Sequence, residues 1–186
     1  MPEPTDQEIV EKAMDGDHMA FRQLVERHQG FVYRVAYRFV RSTADAEDIT
    51  QETFVRLWKH MSRYRKEIRL TTWLYKIVSN LCLDLLKSTH AKHSRQALDV
   101  TDTDVEGAAA DEPLLHDELR TAVEKISNTL SPKQKAVFIL RDMEDRSVEE
   151  ITQILGMSAA QIKSNLYYAR KRVSEEITLY YQTKQK

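Results

Sequence analysis

The sequence predicts an all-α protein: two small helical domains joined by an acidic flexible linker, the second containing a helix-turn-helix. Three observations carry this expectation. Glycine and proline are scarce, four of each in 186 residues, and apolar residues recur at helical spacing with no segment alternating at period two. Charge divides the chain unevenly: residues 1–96 hold 16 basic and 13 acidic side chains, 97–119 hold 8 acids and no base, and 120–186 hold 12 basic and 8 acidic. The formal net charge of −1 therefore conceals two basic modules and an acidic connector. Finally, three serine-led capping boxes follow one another late in the chain, Ser131 with Gln134, Ser147 with Glu150 and Ser158 with Gln161. The expected boundaries are 1–92 for the first domain, 93–114 for the linker and 115–186 for the second domain.

In the first domain Asp6 is the expected N-cap of a short helix carrying Ile9, Val10, Ala13 and Met14, which Gly16 ends. Asp17 caps the next, through Phe21, Leu24, Val25 and His28. Gly30 predicts an interruption before a separate helix, Phe31 to Arg41, with Val32, Val35, Ala36 and Phe39 inward. From Asp45 to Met61, Ala46, Ile49, Thr53 and Leu57 share one face, while Asp45, Asp48, Glu52, Arg56 and Lys59 form a charged stripe. The acids of its first turn suit the positive end of the helix dipole. A loop from Ser62 to Thr71 holds Arg63, Tyr64, Arg65, Lys66 and Arg69 against one acid, Glu67. Thr72 to Lys87 is helical again, with Leu74, Val78, Leu81 and Leu85 inward and Lys76, Asn80, Asp84 and Lys87 outward. This makes about five helices, ending near His90. Trp58 and Trp73, beside apolar positions, are expected in the core. A carboxylate surface, a basic aromatic loop and an amide-bearing helix suit a module that grips a protein and a nucleic acid together.

Between Ala91 and Pro113 the apolar periodicity is lost, and the acidic run reads as a solvated spacer. The 22 residues from Ala97 to Glu118 reach roughly 75 Å when extended, enough to span two turns of duplex. In the second domain Leu115, Leu119, Ala122 and Ile126 line a first helix. Ser131 opens the second, with Pro132 at its favoured first position. Ser147 opens the third, Gly156 closes it, and Ser158 opens the fourth. A helix of about two turns, a short turn and a longer helix is the helix-turn-helix spacing. In the fourth helix Ile162, Leu166, Ala169, Val173 and Ile177 face inward. Gln161, Asn165, Tyr168 and Arg172 share an outward face flanked by Ser164 and Lys171. Amides pair with adenine and hydroxyls accept many geometries, so the N-terminal half suits base reading. Arg170, Lys171 and Arg172 suit phosphate anchoring.

Other chemistries find little support. The single cysteine, Cys82, forbids an internal disulfide and fits a reducing cytoplasm. His90 and His93 lie close but lack further ligands at fitting distance, so no metal and no cofactor are expected. No glycine-rich phosphate loop is present, and nothing points to an enzyme or a small-molecule substrate. Neither a signal peptide nor an apolar run of membrane-spanning length is apparent, which predicts a cytoplasmic protein.

Asp45-Ala-Glu-Asp-Ile-Thr-Gln-Glu-Thr-Phe54, Thr72-Trp-Leu-Tyr-Lys-Ile77 and Asn80-Leu-Cys-Leu-Asp84 resemble region 2 of bacterial RNA polymerase sigma factors of the sigma-70 family. Leu130-Ser-Pro-Lys-Gln134, Val148-Glu-Glu-Ile151 and Lys163-Ser-Asn-Leu-Tyr-Tyr-Ala-Arg170 are similar to region 4. Two such regions with no domain between them resemble the extracytoplasmic-function (ECF) subgroup. The resemblance implies that Asp45, Asp48, Gln51 and Glu52 meet the clamp helices of core polymerase. It implies −10 element binding by Arg63, Tyr64, Arg65, Lys66, Arg69, Lys76, Asn80, Asp84 and Lys87, with a flipped base held on the opened strand. It places the −35 element against Ser158, Gln161, Ser164, Asn165, Tyr168, Arg170, Lys171 and Arg172. The implied partners are core RNA polymerase, promoter DNA and an anti-sigma factor, membrane-bound in many relatives. Asn165 departs from the family's frequent arginine, Thr152 from its alanine, and Ser88-Thr89-His90 from an arginine cluster.

Two readings of other classes compete. A helix-turn-helix regulator acting without core polymerase leaves the segment Asp45 to Asp84 unexplained. A sigma-mimicking anti-anti-sigma adaptor needs no DNA contacts, yet Lys76, Asn80 and the basic fourth helix are present.

Overall fold

The computed structural model describes residues 4–96, 126 and 129–184. The chain divides into two compact units, Met1–Asp84 and Leu85–Lys186. The described secondary structure is helical, and no described helix is long and apolar enough to cross a membrane. Residues 97–114 of the predicted linker and the helix from Leu115 to Ala122 lie outside the described residues, whereas 93–96, expected in the linker, are the end of a helix.

In the first unit α1 (Asp6–Met14) is opened by Thr5, not Asp6. Thr5 Oγ1 accepts the Glu8 N–H at 3.3 Å and Glu8 Oε2 accepts the Thr5 N–H at 2.7 Å, a reciprocal capping box. Asp6 is thereby released for contacts across the unit. As expected, Asp17 caps α2 (His18–Val40), accepting from the N–H groups of Met19 and Ala20 at 2.8 and 3.1 Å.

Helix α2 runs through Gly30 without the predicted break, so the described part of this unit has four α-helices, not five. The physical reason is its continuous inner face. Leu24, His28, Val32, Val35, Ala36 and Phe39 are all buried on it, and their packing outweighs the roughly 1 kcal/mol that an interior glycine costs a helix. Arg41 ends α2 in the left-handed region at φ 58°. Ser42 then caps α3 (Thr43–His60), which begins two residues before the expected Asp45.

Helix α3 buries Ala46, Ile49, Thr53, Phe54 and Leu57. The hydroxyl of buried Thr53 donates to Ile49 O at 2.7 Å, so its own donor is met inside the core. A short 3-10 turn, Met61–Arg63, leads into the loop before α4 (Leu70–Gln96). Leu74, Val78 and Cys82 of α4 are fully buried, and the Phe31 and Tyr75 rings meet edge-on at 4.7 Å. Trp58 is not the core residue expected. It remains 37% exposed, with its ring 4.8 Å from Phe21 and 5.3 Å from His18. It stands off the buried stripe of α3, so one of its faces packs while the other meets solvent.

The second unit realises all three serine-led capping boxes. Ser131 opens α5 (Pro132–Phe138) with Pro132 in its first turn, and Ser147 opens α6 (Val148–Leu155). Gly156 closes α6 at φ 66°, a conformation that favours glycine. Ser158 precedes α7 (Ala159–Lys184), with the Ser158 N–H on Gln161 Oε1 at 3.0 Å and the Gln161 N–H on Ser158 Oγ at 3.2 Å. Beyond α5 the helix widens over Ile139–Met143, and the Glu144 N–H bonds Ile139 O five residues back at 2.9 Å. Ile126, Leu130, Phe138, Ala169 and Val173 form a core cluster with Met143 and Ile177 packed against it. Ile151, Ile154 and Ile162, within 1% of full burial, lock α6 and α7 into a helix-turn-helix.

Candidate functional site

Three surfaces carry the predicted site residues: one on α3, one on the loop and α4, and one on α7. On α3 the buried stripe turns Asp48 and Gln51 outward, with Asp45 and Glu52 half-buried beside them. Asp45 stands in the first turn, where the N-cap Ser42 Oγ accepts its N–H at 3.3 Å. Glu52 Oε1 accepts from Arg56 Nε at 2.8 Å. The two side chains keep 42% and 44% of their surface open to water, so the pair contributes little to stability. The surface is a carboxylate-and-amide ridge held rigidly by the core beneath it.

The second surface surrounds the loop between the 3-10 turn and α4. Tyr64, Arg65, Lys66, Glu67 and Ile68 line an open concavity of about 630 Å³. Arg63, Arg65, Lys66 and Arg69 are exposed, and Tyr64 is half-buried. The Tyr64 ring stacks on Trp73 with centroids 5.5 Å apart and planes at 27°. Burial, then the Asp6 carboxylate, pushes the Tyr64 phenol above its ordinary pKa, so it presents a neutral hydroxyl. Lys76, Asn80, Asp84 and Lys87 are exposed on the outer side of α4, which places an amide and two ammonium groups along one ridge. Basic groups, an aromatic platform and a concavity suit a single nucleic-acid strand.

The sequence alone did not suggest a role for α1 at this loop. Lys66 Nζ lies 2.5 Å from Glu11 Oε1. Their hydrogen bond raises the Lys66 pKa and lowers that of Glu11.

On the third surface Gln161, Ser164, Tyr168, Lys171 and Arg172 of α7 are exposed, Asn165 is half-buried, and Ser158 is exposed at the start of the helix. Several of these groups hold local bonds. The Gln161 carboxamide oxygen completes the capping box with Ser158, and Asn165 Nδ2 donates to Gln161 O at 2.8 Å. Lys171 and Arg172 pair with Glu175 and Glu176 on their own helix, at 4.0 and 3.0 Å. Arg170 differs from them. Its Nε and Nη2 donate to the two carboxylate oxygens of Asp142 at 2.9 and 2.5 Å. That bond holds its pKa further above the ordinary guanidinium value.

Tyr167 and Lys163 escaped the sequence reading. Tyr167 is 64% exposed and Tyr168 56%, their rings 5.4 Å apart edge to face, and Lys163 is exposed one turn earlier. The spacing of Lys163, Tyr167 and Lys171 along one side of the helix is the signal that marks them.

Comparison with known proteins bears on the family of the chain. The Sigma-70 region 2 family matches residues 24–92, and Sigma-70, region 4 matches residues 120–173. The chain is 30% identical over 183 residues to the ECF RNA polymerase sigma factor SigE of Mycolicibacterium smegmatis, covering 93% of this chain and 69% of that protein. It is 29% identical to the ECF RNA polymerase sigma-E factor of Haemophilus influenzae, over 93% of this chain and 95% of that protein. Among solved structures, the fold is similar to that of the sigma factor RpoE in complex with the anti-sigma factor NepR from Bartonella quintana. The TM-score is 0.68 and the identity 22%, covering 85% of this chain and 96% of that one. CnrH, solved in complex with the cytosolic domain of CnrY, gives a TM-score of 0.67 at 21% identity, over 94% and 97% of the two chains. Two matched family regions in the same order, together with relatives matched over more than two thirds of their length, settle the assignment: the chain belongs to the sigma-70 family and is an alternative RNA polymerase sigma factor of the ECF group.

Proposed function

We propose that the first domain, residues 1–92, binds core RNA polymerase through Asp45, Asp48, Gln51 and Glu52. The loop and α4, through Arg63, Tyr64, Arg65, Lys66, Arg69, Lys76, Asn80, Asp84 and Lys87, hold the opened −10 element. The observation that carries this reading is the open concavity lined by Tyr64 to Ile68, with the Tyr64–Trp73 stack behind it. An extracted base needs a recess and an aromatic face. Unstacking it costs a few kcal/mol, and stacking with phosphate contacts offsets about as much.

The second domain, residues 115–186, docks α7 in the −35 major groove. Ser158, Gln161, Ser164, Asn165 and Tyr168 face the bases, and Lys171 and Arg172 the phosphates. Arg170 serves the domain's own packing first, through Asp142. Residues 93–114 tether the two domains while the polymerase sets their spacing. The protein performs no catalysis itself and acts in the cytoplasm beside the polymerase. An anti-sigma factor restrains it, a reading supported by the similar fold of RpoE having been solved with the anti-sigma factor NepR.

Run-off transcription with purified core polymerase tests this function. Promoter-specific transcripts that require both the chain and the core are expected. A DNA-binding chain that leaves the core's transcript pattern unchanged would point to a regulator that acts without polymerase.

A further inference from the structure

We infer that Glu11 of α1 sets the strength of −10 recognition: it holds the Lys66 ammonium in the free protein and yields it to a DNA phosphate when the promoter binds. The inference rests on assigning the loop around Tyr64 to the −10 element.

Glu11 is carried on a helix anchored independently of the loop. The Thr5–Glu8 capping box fixes the start of α1, and Ile9, Val10 and Ala13 are buried. Asp6 accepts from Arg27 Nη1 at 2.9 Å and lies 3.0 Å from His28 Nε2. Arg27 Nη1 also donates to Pro4 O at 3.0 Å. The backbone under Glu11 is thus held whether or not Lys66 is bound, and its carboxylate stands at the rim of a loop otherwise rich in cations. Glu11 Oε1 and Lys66 Nζ lie 2.5 Å apart, with both side chains open to water.

A carboxylate at that distance cancels most of the local field of the ammonium. A phosphate approaching Lys66 must displace Glu11 and also bear its repulsion. Because the pair is solvated, the opposition is small and screened by salt. It adjusts affinity without blocking the site. It also gives α1 a part in promoter binding although none of its side chains need touch DNA.

The test uses holoenzyme assembled from core polymerase and the full chain. The DNA is a forked promoter fragment, selected by the wild-type holoenzyme, with a single-stranded non-template −10 segment. Dissociation constants are measured at low and physiological salt for wild type, E11Q, K66A and the double variant. E11Q should bind about two- to fivefold more tightly at low salt, in line with an exposed pair, and the gain should shrink as salt rises. K66A should bind more weakly, and adding E11Q to it should change nothing. If K66A weakens binding but E11Q does not strengthen it, the exchange is wrong while the −10 assignment stands. An equal gain from E11Q in the K66A background would mean bulk charge, not exchange at Lys66, and would overturn the inference. Loss of any effect from K66A would remove both the exchange and the place of Lys66 in −10 binding. Both side chains are exposed, so all three variants should fold, which helical circular dichroism checks.

Discussion

Arg170 grips Asp142 with two parallel bonds, Nε to Oδ2 at 2.9 Å and Nη2 to Oδ1 at 2.5 Å, and so fastens α7 to the widened turn after α5. A two-pronged guanidinium–carboxylate contact is the geometry in which a partly exposed ion pair contributes measurably. Arg170→Ala and Asp142→Ala should each lower the stability of the helix-turn-helix unit by about 1 kcal/mol, read by urea unfolding. Asp142→Ala should also free Arg170 and raise affinity for −35 duplex. Should Arg170→Ala leave stability intact yet weaken DNA binding tenfold, Arg170 is a phosphate ligand and its grip on Asp142 incidental.

Gln161 has two tasks, since its side-chain oxygen closes the capping box with Ser158 while the residue faces outward. Gln161→Ala should therefore cost about 1 kcal/mol of stability and alter −35 preference. Gln161→Glu retains an acceptor for the box, so it should keep stability and still lose −35 binding. Arg172→Ala should weaken all −35 variants alike and reduce the salt slope by about one unit. Binding across a panel of −35 duplexes, beside thermal melts, separates the two tasks. If Gln161→Ala and Arg172→Ala shifted preference in the same way, the division between base reading and phosphate anchoring would be wrong.

Asp48 is exposed and Glu52 half-buried on α3, above a core of Ala46, Ile49 and Leu57. Reversing both to lysine should leave the helical signal unchanged and weaken association with core polymerase at least about tenfold, the effect of roughly 1.4 kcal/mol. A titration of labelled core with the folded double variant measures it. Wild-type affinity would remove this ridge from the polymerase contact.

Gly30 sits mid-helix on the solvent side of α2, and a Cβ placed there meets nothing within 4 Å. Gly30→Ala should therefore stabilise the first unit by about 0.5–1 kcal/mol. A lower melting temperature would show that the residue is glycine for a reason outside the free chain, such as close approach of a partner.

What the sequence disclosed was local in origin. The capping boxes, the closing glycine Gly156 and the carboxylate ridge of α3 each depend on residues within a turn or two of one another. The break expected at Gly30 failed because a weak local preference met a long buried face. Thr5 and Asp6 are both good capping residue types, but Thr5 with Glu8 three residues later forms the reciprocal pattern, and Asp6 turns toward Arg27 instead. Trp58 lies beside apolar positions and packs one side on Phe21, yet its other side stays wet. The contacts of Glu11 with Lys66 and of Asp142 with Arg170 join residues far apart in sequence, and no local spacing announces them. Of the candidate site, the α3 ridge and the outer face of α4 were legible for the same reason. Which amides and cations of α7 already hold internal bonds was not.

Opening of the −10 region tests the central claim most directly. Permanganate reactivity of thymines is measured on a promoter with core polymerase alone, the chain alone, both together, and core with the Tyr64→Ala and Tyr64→Phe variants. Reactive thymines in the −10 element should appear only with chain and core together, vanish with Tyr64→Ala and persist with Tyr64→Phe, because the stack on Trp73 needs the ring and not the hydroxyl. Tight promoter binding by the chain alone, with no thymine exposed when core is added, would contradict the account.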